Sequence, residues 1–193
     1  MITIITPTLN PGQQIKRLLD SVALQTVPCE HLIVDGGSTD GTRELVAQYP
    51  HATWIDAPGT SIYEAQNVGI MAATGKWAYF IGADDTIALP DTLRRVALTG
   101  EKSDARVVRG MVQFVTESGR ISGQPTFATR QQAFLYDRTL YSEFGAYDAA
   151  HTIYADVVFQ KLVESAGVKQ CRFVGAIAIV QLGGFSSVNG GVN

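Results

Sequence analysis

Asp84 and Asp85 follow the apolar run Trp77-Ala78-Tyr79-Phe80-Ile81 and a single Gly82-Ala83 step, which sets two adjacent carboxylates at the mouth of a candidate core strand. Adjacent carboxylates in such a place repel unless a cation or hydrogen-bond donors lie between them. A divalent metal is the simplest partner, because hard cations such as Mg²⁺ take one or two carboxylates and let substrate phosphates complete the shell. The competing reading is a solvated turn that caps the next helix. Asp35 after Leu32-Ile33-Val34, and Asp56 after Ala52–Ile55, stand at two further predicted strand ends, and a turn explains either one alone. Acids at three strand ends along one sheet edge share another explanation, a donor-rich ligand together with a metal.

Other reactive side chains have weaker claims. His31 and His51 suit surface or satisfied-core roles, and only His151 falls near candidate acids, between Asp148 and Asp156. Cys29 and Cys171 are far apart and neither belongs to a Cys-x-x-Cys pair, which argues against a zinc or redox motif.

The elements that must position these acids alternate. Ile2–Thr6 is mostly β-branched and reads as a strand buried on both faces of a parallel sheet, broken by Pro7 to Gly12. Ile15, Leu18, Leu19 and Val22 recur at helical spacing and predict a helix over Gln13–Leu24. Strands at His31–Val34 and Ala52–Ile55 flank a helix at Thr42–Gln48. Ser61 with Glu64 three residues later forms a candidate capping box for a further helix. The first half is therefore a series of βαβ units, whose ligands bind at the carboxyl ends of the strands. After the acid pair Pro90 suits the first turn of a helix. Arg106–Val115 and Arg120–Ile121 then flank Glu117-Ser118-Gly119 as an antiparallel hairpin. Gln132–Tyr136 reads as a strand, Thr139–Phe144 and Ile153–Ala166 as helices, and Gln170–Leu182 as a strand pair or one long strand. Gly183, Gly184, Gly190 and Gly191 predict a loose tail.

At 193 residues, 46% hydrophobic and 17% charged, the chain suits one globular domain over 1–193. A net charge of −3 gives no basic surface for nucleic acid, so phosphate binding must be local and metal-assisted. Met1 leads straight into Ile2-Thr3-Ile4-Ile5 without the basic front of a signal peptide, and no run reaches the roughly 18 apolar residues that span a bilayer. The expectation is a cytoplasmic protein without a transmembrane segment, any membrane association being peripheral at the inner face.

Four motifs, Thr3-Ile-Ile-Thr-Pro-Thr-Leu-Asn10, Leu32-Ile-Val-Asp-Gly-Gly-Ser-Thr-Asp-Gly41, Ala73-Thr-Gly-Lys-Trp-Ala-Tyr-Phe-Ile-Gly-Ala-Asp-Asp85 and Phe144-Gly-Ala-Tyr-Asp148, together resemble the family 2 glycosyltransferases of the GT-A fold. The resemblance implies a Rossmann-like α/β fold with a mixed, mainly parallel sheet flanked by helices. It also implies a nucleotide-sugar donor, Mg²⁺ or Mn²⁺ as cofactor, and inverting transfer to a carbohydrate or lipid-linked saccharide in surface-polysaccharide synthesis. Carried over by position, Asp35 accepts the uracil N–H, Thr6 and Thr8 line the base and ribose, Asp84 lies near the ribose, Asp85 holds the metal and Asp156 is the catalytic base. Asp56 joins the nucleotide set as the acid of the intervening strand end.

The chain departs from its nearest subgroup at Ser61, Glu64, Gln66 and Val68, which replace Gly, Asp, Met and Lys, and at Gly82, where many relatives carry an acid. Gln131 falls where a His is common, and the chain ends sooner than most relatives. The Val68 exchange removes a positive charge near the expected phosphates. An active transferase and a nucleotide-sugar-binding or scaffolding protein of the same fold both stay open. A dinucleotide-dependent oxidoreductase does not, since Pro7-Thr8-Leu9-Asn10-Pro11-Gly12 replaces the Gly-x-Gly-x-x-Gly turn.

Overall fold

A computed structural model describes residues 1–116, 118–151 and 153–183. Gly184, Gly190 and Gly191 of the predicted tail, and Glu117 of the predicted hairpin turn, lie outside the described residues. The chain runs β1 (Ile2–Thr8), a 3-10 turn at Gly12–Gln14, α1 (Ile15–Ala23), β2 (Cys29–Asp35), α2 (Thr42–Val46), β3 (Ala52–Asp56), α3 (Ile62–Ala72) and β4 (Trp77–Phe80). It continues through β5 (Thr86–Ile87), α4 (Thr92–Ser103), β6 (Val107–Val115), β7 (Ile121–Thr126), a 3-10 turn at Gln131–Ala133, β8 (Phe134–Asp137), α5 (Thr139–Phe144), α6 (Ala155–Ser165) and β9 (Gln170–Gln181).

One nine-stranded sheet takes the order β3-β2-β1-β4-β8-β6-β9-β5, with β7 added to β6. The pairs β3-β2, β2-β1, β1-β4 and β6-β9 are parallel, while β8 runs antiparallel between β4 and β6. The expected mixed, mainly parallel α/β sheet is the observed one. In β1 every residue except Pro7 is buried, which is why its sequence shows no polar alternation. Ile15, Leu18, Leu19 and Val22 are the buried face of α1, as their spacing requires.

Side-chain alternation divides the helices between the two faces of the sheet. Ile5 and Val34 pack at Gly69 of α3, and Phe80 meets Tyr141 of α5 and Tyr147. On the opposite face Gly100 of α4 lies against Trp77 and Val108, and a Cβ at that glycine would stand 2.7 Å from each. Among the described residues no helix is long and apolar enough to cross a membrane.

The boundaries differ from the sequence reading in several places. Pro90 precedes α4 instead of entering it: its carbonyl accepts from the Thr26 N–H, and the Thr92 hydroxyl takes the Leu89 N–H. α2 stops at Val46, where the Tyr49 N–H turns back onto the Val46 carbonyl. α6 begins at Ala155 because Tyr154 adopts a left-handed φ of 74°. β5 was not foreseen, while of the two readings of Gln170–Leu182 the single long strand is the observed one.

The close approach of α3 to the sheet sets a stability test. A Cβ at Gly69 would stand 2.4 Å from Ile5 Cγ2 and 3.3 Å from Val34 Cγ2, both stiff β-branched core groups. Gly69→Ala is expected to destabilise the protein by about 1–3 kcal/mol, read as a lower denaturant midpoint, despite the gain in helix propensity. An unchanged or higher midpoint would show that α3 can lift off β1 without cost.

Candidate active site

Three loops at the carboxyl edge of the sheet are bound to one another. The Gly36 N–H donates to the Thr8 carbonyl, the Ala57 N–H to the Asp35 carbonyl, and the Gly59 N–H to the Gly36 carbonyl. Asn10, held at a left-handed φ of 49°, accepts the Thr39 N–H on its Oδ1 and donates its own N–H to Ser38 Oγ. This wall borders a cleft of about 500 Å³ that also takes in the start of α3, the Gly82–Asp85 turn, Arg130–Gln132 and the end of β9.

Asp85 sits at the floor with 2% exposure. Its Oδ2 accepts from the Gln132 side-chain amide at 2.9 Å and its Oδ1 from the Gln181 backbone N–H at 3.0 Å. Burial, then the neighbouring Asp84 charge, push the Asp85 carboxyl up to about 7, and the two donors only partly offset them. Gly82 matters to this arrangement. A Cβ there would lie 2.8 Å from Asp84 Oδ1 and 3.1 Å from Asp85 Oδ2, so both carboxylates open on a notch that any other side chain would fill. Two carboxylate oxygens around one notch suit a hard cation whose remaining ligands are phosphate and water. Among the described residues no cluster of three or more acids, histidines or cysteines forms a self-sufficient metal cage.

The predicted site residues divide. Thr8, Asp84 and Asp85 line the cleft. Thr6 lies beneath it, fully buried, with its hydroxyl 3.1 Å from His31 Nε2. Asp35 is buried in its own loop, where its carboxylate accepts from the Gly37 N–H, the Ser38 N–H and the Ser38 hydroxyl. A carboxylate has about four acceptor sites, so one remains for a ligand. Asp56 is not brought into the cleft. It is exposed at the rim, bound by Arg43 at 2.9 Å and by the Trp54 indole N–H at 2.9 Å. His151 is 3.7 Å from Asp148, at the surface.

Asp156 also lies outside the cleft lining, in the first turn of α6, and makes no cap hydrogen bond. Its Oδ1 accepts from the Tyr63 hydroxyl at 2.8 Å. Tyr63 stands two residues past Ser61, whose capping box with Glu64 fixes the start of α3 at the cleft wall. Burial, then the Asp156 charge, hold the Tyr63 phenol well above its ordinary range, so it remains a donor. Beneath Asp156, Phe159 stacks on Tyr141 with centroids 4.4 Å apart, and the Tyr141 and Tyr147 hydroxyls lie 3.0 Å from each other. Asn67 anchors this cluster by exchanging two hydrogen bonds with the Tyr147 backbone.

Sequence reasoning missed Gln132, Gln181 and Tyr63 because their partners are distant in the chain. The one signal available for Gln132 was a polar, charged run directly before the apolar β8. Among the described residues Arg130 is the only cationic side chain in the cleft lining, and its guanidinium lies 5.7 Å from the Phe114 ring centroid.

The family model for Glycosyl transferase family 2 matches residues 3–163. A PGL/p-HBAD biosynthesis glycosyltransferase of Mycobacterium bovis (strain BCG / Pasteur 1173P2) is 34% identical over 177 residues, covering 81% of this chain and 66% of the relative. The chain thus spans about two thirds of the length of that relative. An uncharacterized Escherichia coli K12 glycosyltransferase, YibD, is 32% identical over 104 residues, 50% of this chain and 30% of YibD. Among solved structures, S. aureus TarS with UDP-GlcNAc superposes with a TM-score of 0.78 at 18% identity, covering 100% of this chain and 61% of that one. The Pyrobaculum calidifontis mannosyltransferase PcManGT with GDP-Man and Mn²⁺ gives 0.77 at 19%, covering 96% and 58%. The fold is that of the GT-A glycosyltransferases.

The raised Asp85 carboxyl predicts a pH signature. The unfolded chain ionises this group near 3.8 and the folded chain near about 7, so its burial costs stability as pH rises through that window, and a bound cation recovers the loss. Mn²⁺ affinity in the presence of UDP is therefore expected to rise with pH through about 7, with proton release on binding. Calorimetry in buffers of different ionisation enthalpy measures that release. Binding without proton release at pH 6, or unchanged in Asp85→Asn, would remove Asp85 from the metal site.

Proposed function

The chain belongs to glycosyltransferase family 2, and from that premise we propose that it moves a sugar from a UDP-sugar to a hydroxyl of a saccharide or lipid-linked saccharide, with inversion. The observation that carries the proposal is the notch at Gly82, where Asp84 and Asp85 open together on a cleft whose lining holds Arg130. A leaving diphosphate needs positive charge, and Val68 supplies none. Asp85 would hold a Mg²⁺ or Mn²⁺ ion, which would neutralise that diphosphate when bound. Arg130 would share the task from the other half of the chain. Asp84 and Thr8 would face the ribose, Thr6 would support that wall from beneath, and the remaining acceptor site of Asp35 suits the uracil imide N–H. Asp56 would brace the rim beside the Asp35 loop, with which it is in register. Residues 1 to about 100 would thus serve the donor and the remainder the acceptor. A role in surface-polysaccharide assembly, on the cytoplasmic side, fits such a donor.

Asp156 is the proposed general base. A sugar hydroxyl is a poor nucleophile near neutral pH, and a positioned carboxylate raises its reactivity by removing the proton as the bond forms. The carboxylate projects from the first turn of α6, and Tyr63 fixes its orientation through the 2.8 Å hydrogen bond.

Two variants test this pair of roles. Asp156→Asn keeps an oxygen for the Tyr63 hydroxyl but takes no proton, so transfer should fall by about 10²–10⁴-fold while the melting temperature and UDP–Mn²⁺ binding stay near wild type. Transfer above about a tenth of wild type would remove Asp156 from the mechanism. Wild-type UDP-sugar binding with no turnover on any acceptor would leave only a binding protein. Tyr63→Phe removes the hydrogen bond that orients Asp156, so kcat should fall while the melting temperature and UDP–Mn²⁺ binding stay near wild type; a loss of kcat matched by a loss of thermal stability would reduce Tyr63 to packing.

A further inference from the structure

Two arginines in the second half of the chain have no anionic partner among the described residues. Arg109 of β6 and Arg172 of β9 are register partners in a parallel pair, so their side chains stand on the same face of the sheet. Both guanidiniums lie against the Phe127 ring, 5.9 and 5.4 Å from its centroid, and Arg109 is also 5.6 Å from the Phe134 centroid. Neither enters any ion pair among the described residues. Among the described residues Arg109 reaches only the Ala128 carbonyl, at 3.4 Å, and its Nε is buried without an acceptor. Aromatic faces attract cations but do not neutralise them, and two like charges held side by side repel. An anion between them would relieve that repulsion.

The pair also lies where an acceptor would approach. Arg109 pairs with Phe134 across β6 and β8, and the next residue of β8, Leu135, pairs with Tyr79 of β4, so Arg109 stands level with the carboxyl end of β4. Phe134 stacks on Tyr136 at 5.7 Å, and Tyr136 meets Phe159 at 5.7 Å, one helical turn from Asp156. Three ring contacts through the buried core on one sheet face therefore run from Arg109 to the helix that carries the proposed base. Neither arginine lines the donor cleft.

From this placement the geometry points to an anion subsite for the acceptor: Arg109 and Arg172 receive a phosphate carried by the acceptor while its hydroxyl is presented to Asp156. The inference rests on the proposed transfer reaction. Phosphate suits the pair because guanidinium groups bind its oxygens through parallel, charge-assisted hydrogen bonds. The phosphate could belong to a soluble phosphorylated acceptor or to a lipid headgroup at a membrane surface.

Phenyl phosphate, titrated by calorimetry into protein already saturated with UDP and Mn²⁺, tests the subsite with the donor site filled. Wild type should bind it, Arg172→Gln should bind about tenfold or more weakly, and Arg172→Lys should recover part of the loss. Arg172 is exposed, so these variants should fold, and Arg109→Gln/Arg172→Gln should abolish binding. UDP affinity should be the same in all of them. Flotation with phosphatidylcholine vesicles, with and without phosphatidylglycerol, separates the sources: arginine-dependent capture by anionic vesicles assigns the phosphate to a headgroup, and its absence alongside phenyl phosphate binding assigns it to a soluble acceptor. Phenyl phosphate binding that is equal in wild type and Arg172→Gln, or competed by UDP, or absent, overturns the subsite. Failure of wild type to bind UDP would instead defeat the transferase reading, with the phenyl phosphate titration in unsaturated protein still readable.

Discussion

A carboxylate taken out of water must be given donors or a cation, and the fold is built so that Asp85 receives two donors from elements far away in the chain. Gln132 sits on the turn before β8, held there by the Tyr79 hydroxyl donating to its carbonyl, and the Gln181 N–H is the last ladder position of β9. Neither can reach Asp85 unless the second half of the sheet has the right register. β9 must follow β6 through two irregular steps, near Arg109 and Met111, for its end to arrive at the acids. The βαβ half makes the acid pair, and the mixed half determines how it is solvated.

α3 connects the remaining parts of the site. It carries Ser61 at its N-cap on the cleft wall, then Tyr63 beneath Asp156, Asn67 on the Tyr147 backbone, and Gly69 against Ile5. These positions lie on successive turns of one rigid rod, so the donor wall and the candidate base keep a fixed separation. Asn67 does for the Tyr147 loop what a strand partner would do, with one side chain in place of a backbone ladder.

The first half was legible because each element there buries a periodic apolar pattern against its sequence neighbour, as with Ile15, Leu18, Leu19 and Val22. Strand ends carrying Asp35, Asp56 and Asp85 could be located for the same reason. What each carboxylate faces could not be read, because an apolar period locates a strand end but not the donors, near or far in the chain, that its carboxylate takes. Asp56 turns to Arg43 and Trp54, and Asp35 folds into its own loop. Gln132 is 47 residues from Asp85 and Tyr63 is 93 from Asp156, separations at which no local pattern carries information. β5 escaped notice because two residues are too few to show a period.

The chain has two tryptophans, and the fold gives them opposite surroundings. Trp77 is 1% exposed, enclosed by α4 at Gly100 and by Val108. Trp54 stands half-buried in the middle of β3, its indole donating to Asp56 with the Arg43 guanidinium 5.6 Å from its ring centroid. The protein therefore carries two built-in optical reporters. Trp77, shielded from water and from dissolved quenchers, emits as a core residue until the sheet itself comes apart. Trp54 is open to a quencher such as iodide and sits on the strand next to the Asp35 loop, so its emission registers events at the nucleotide edge while Trp77 stays silent.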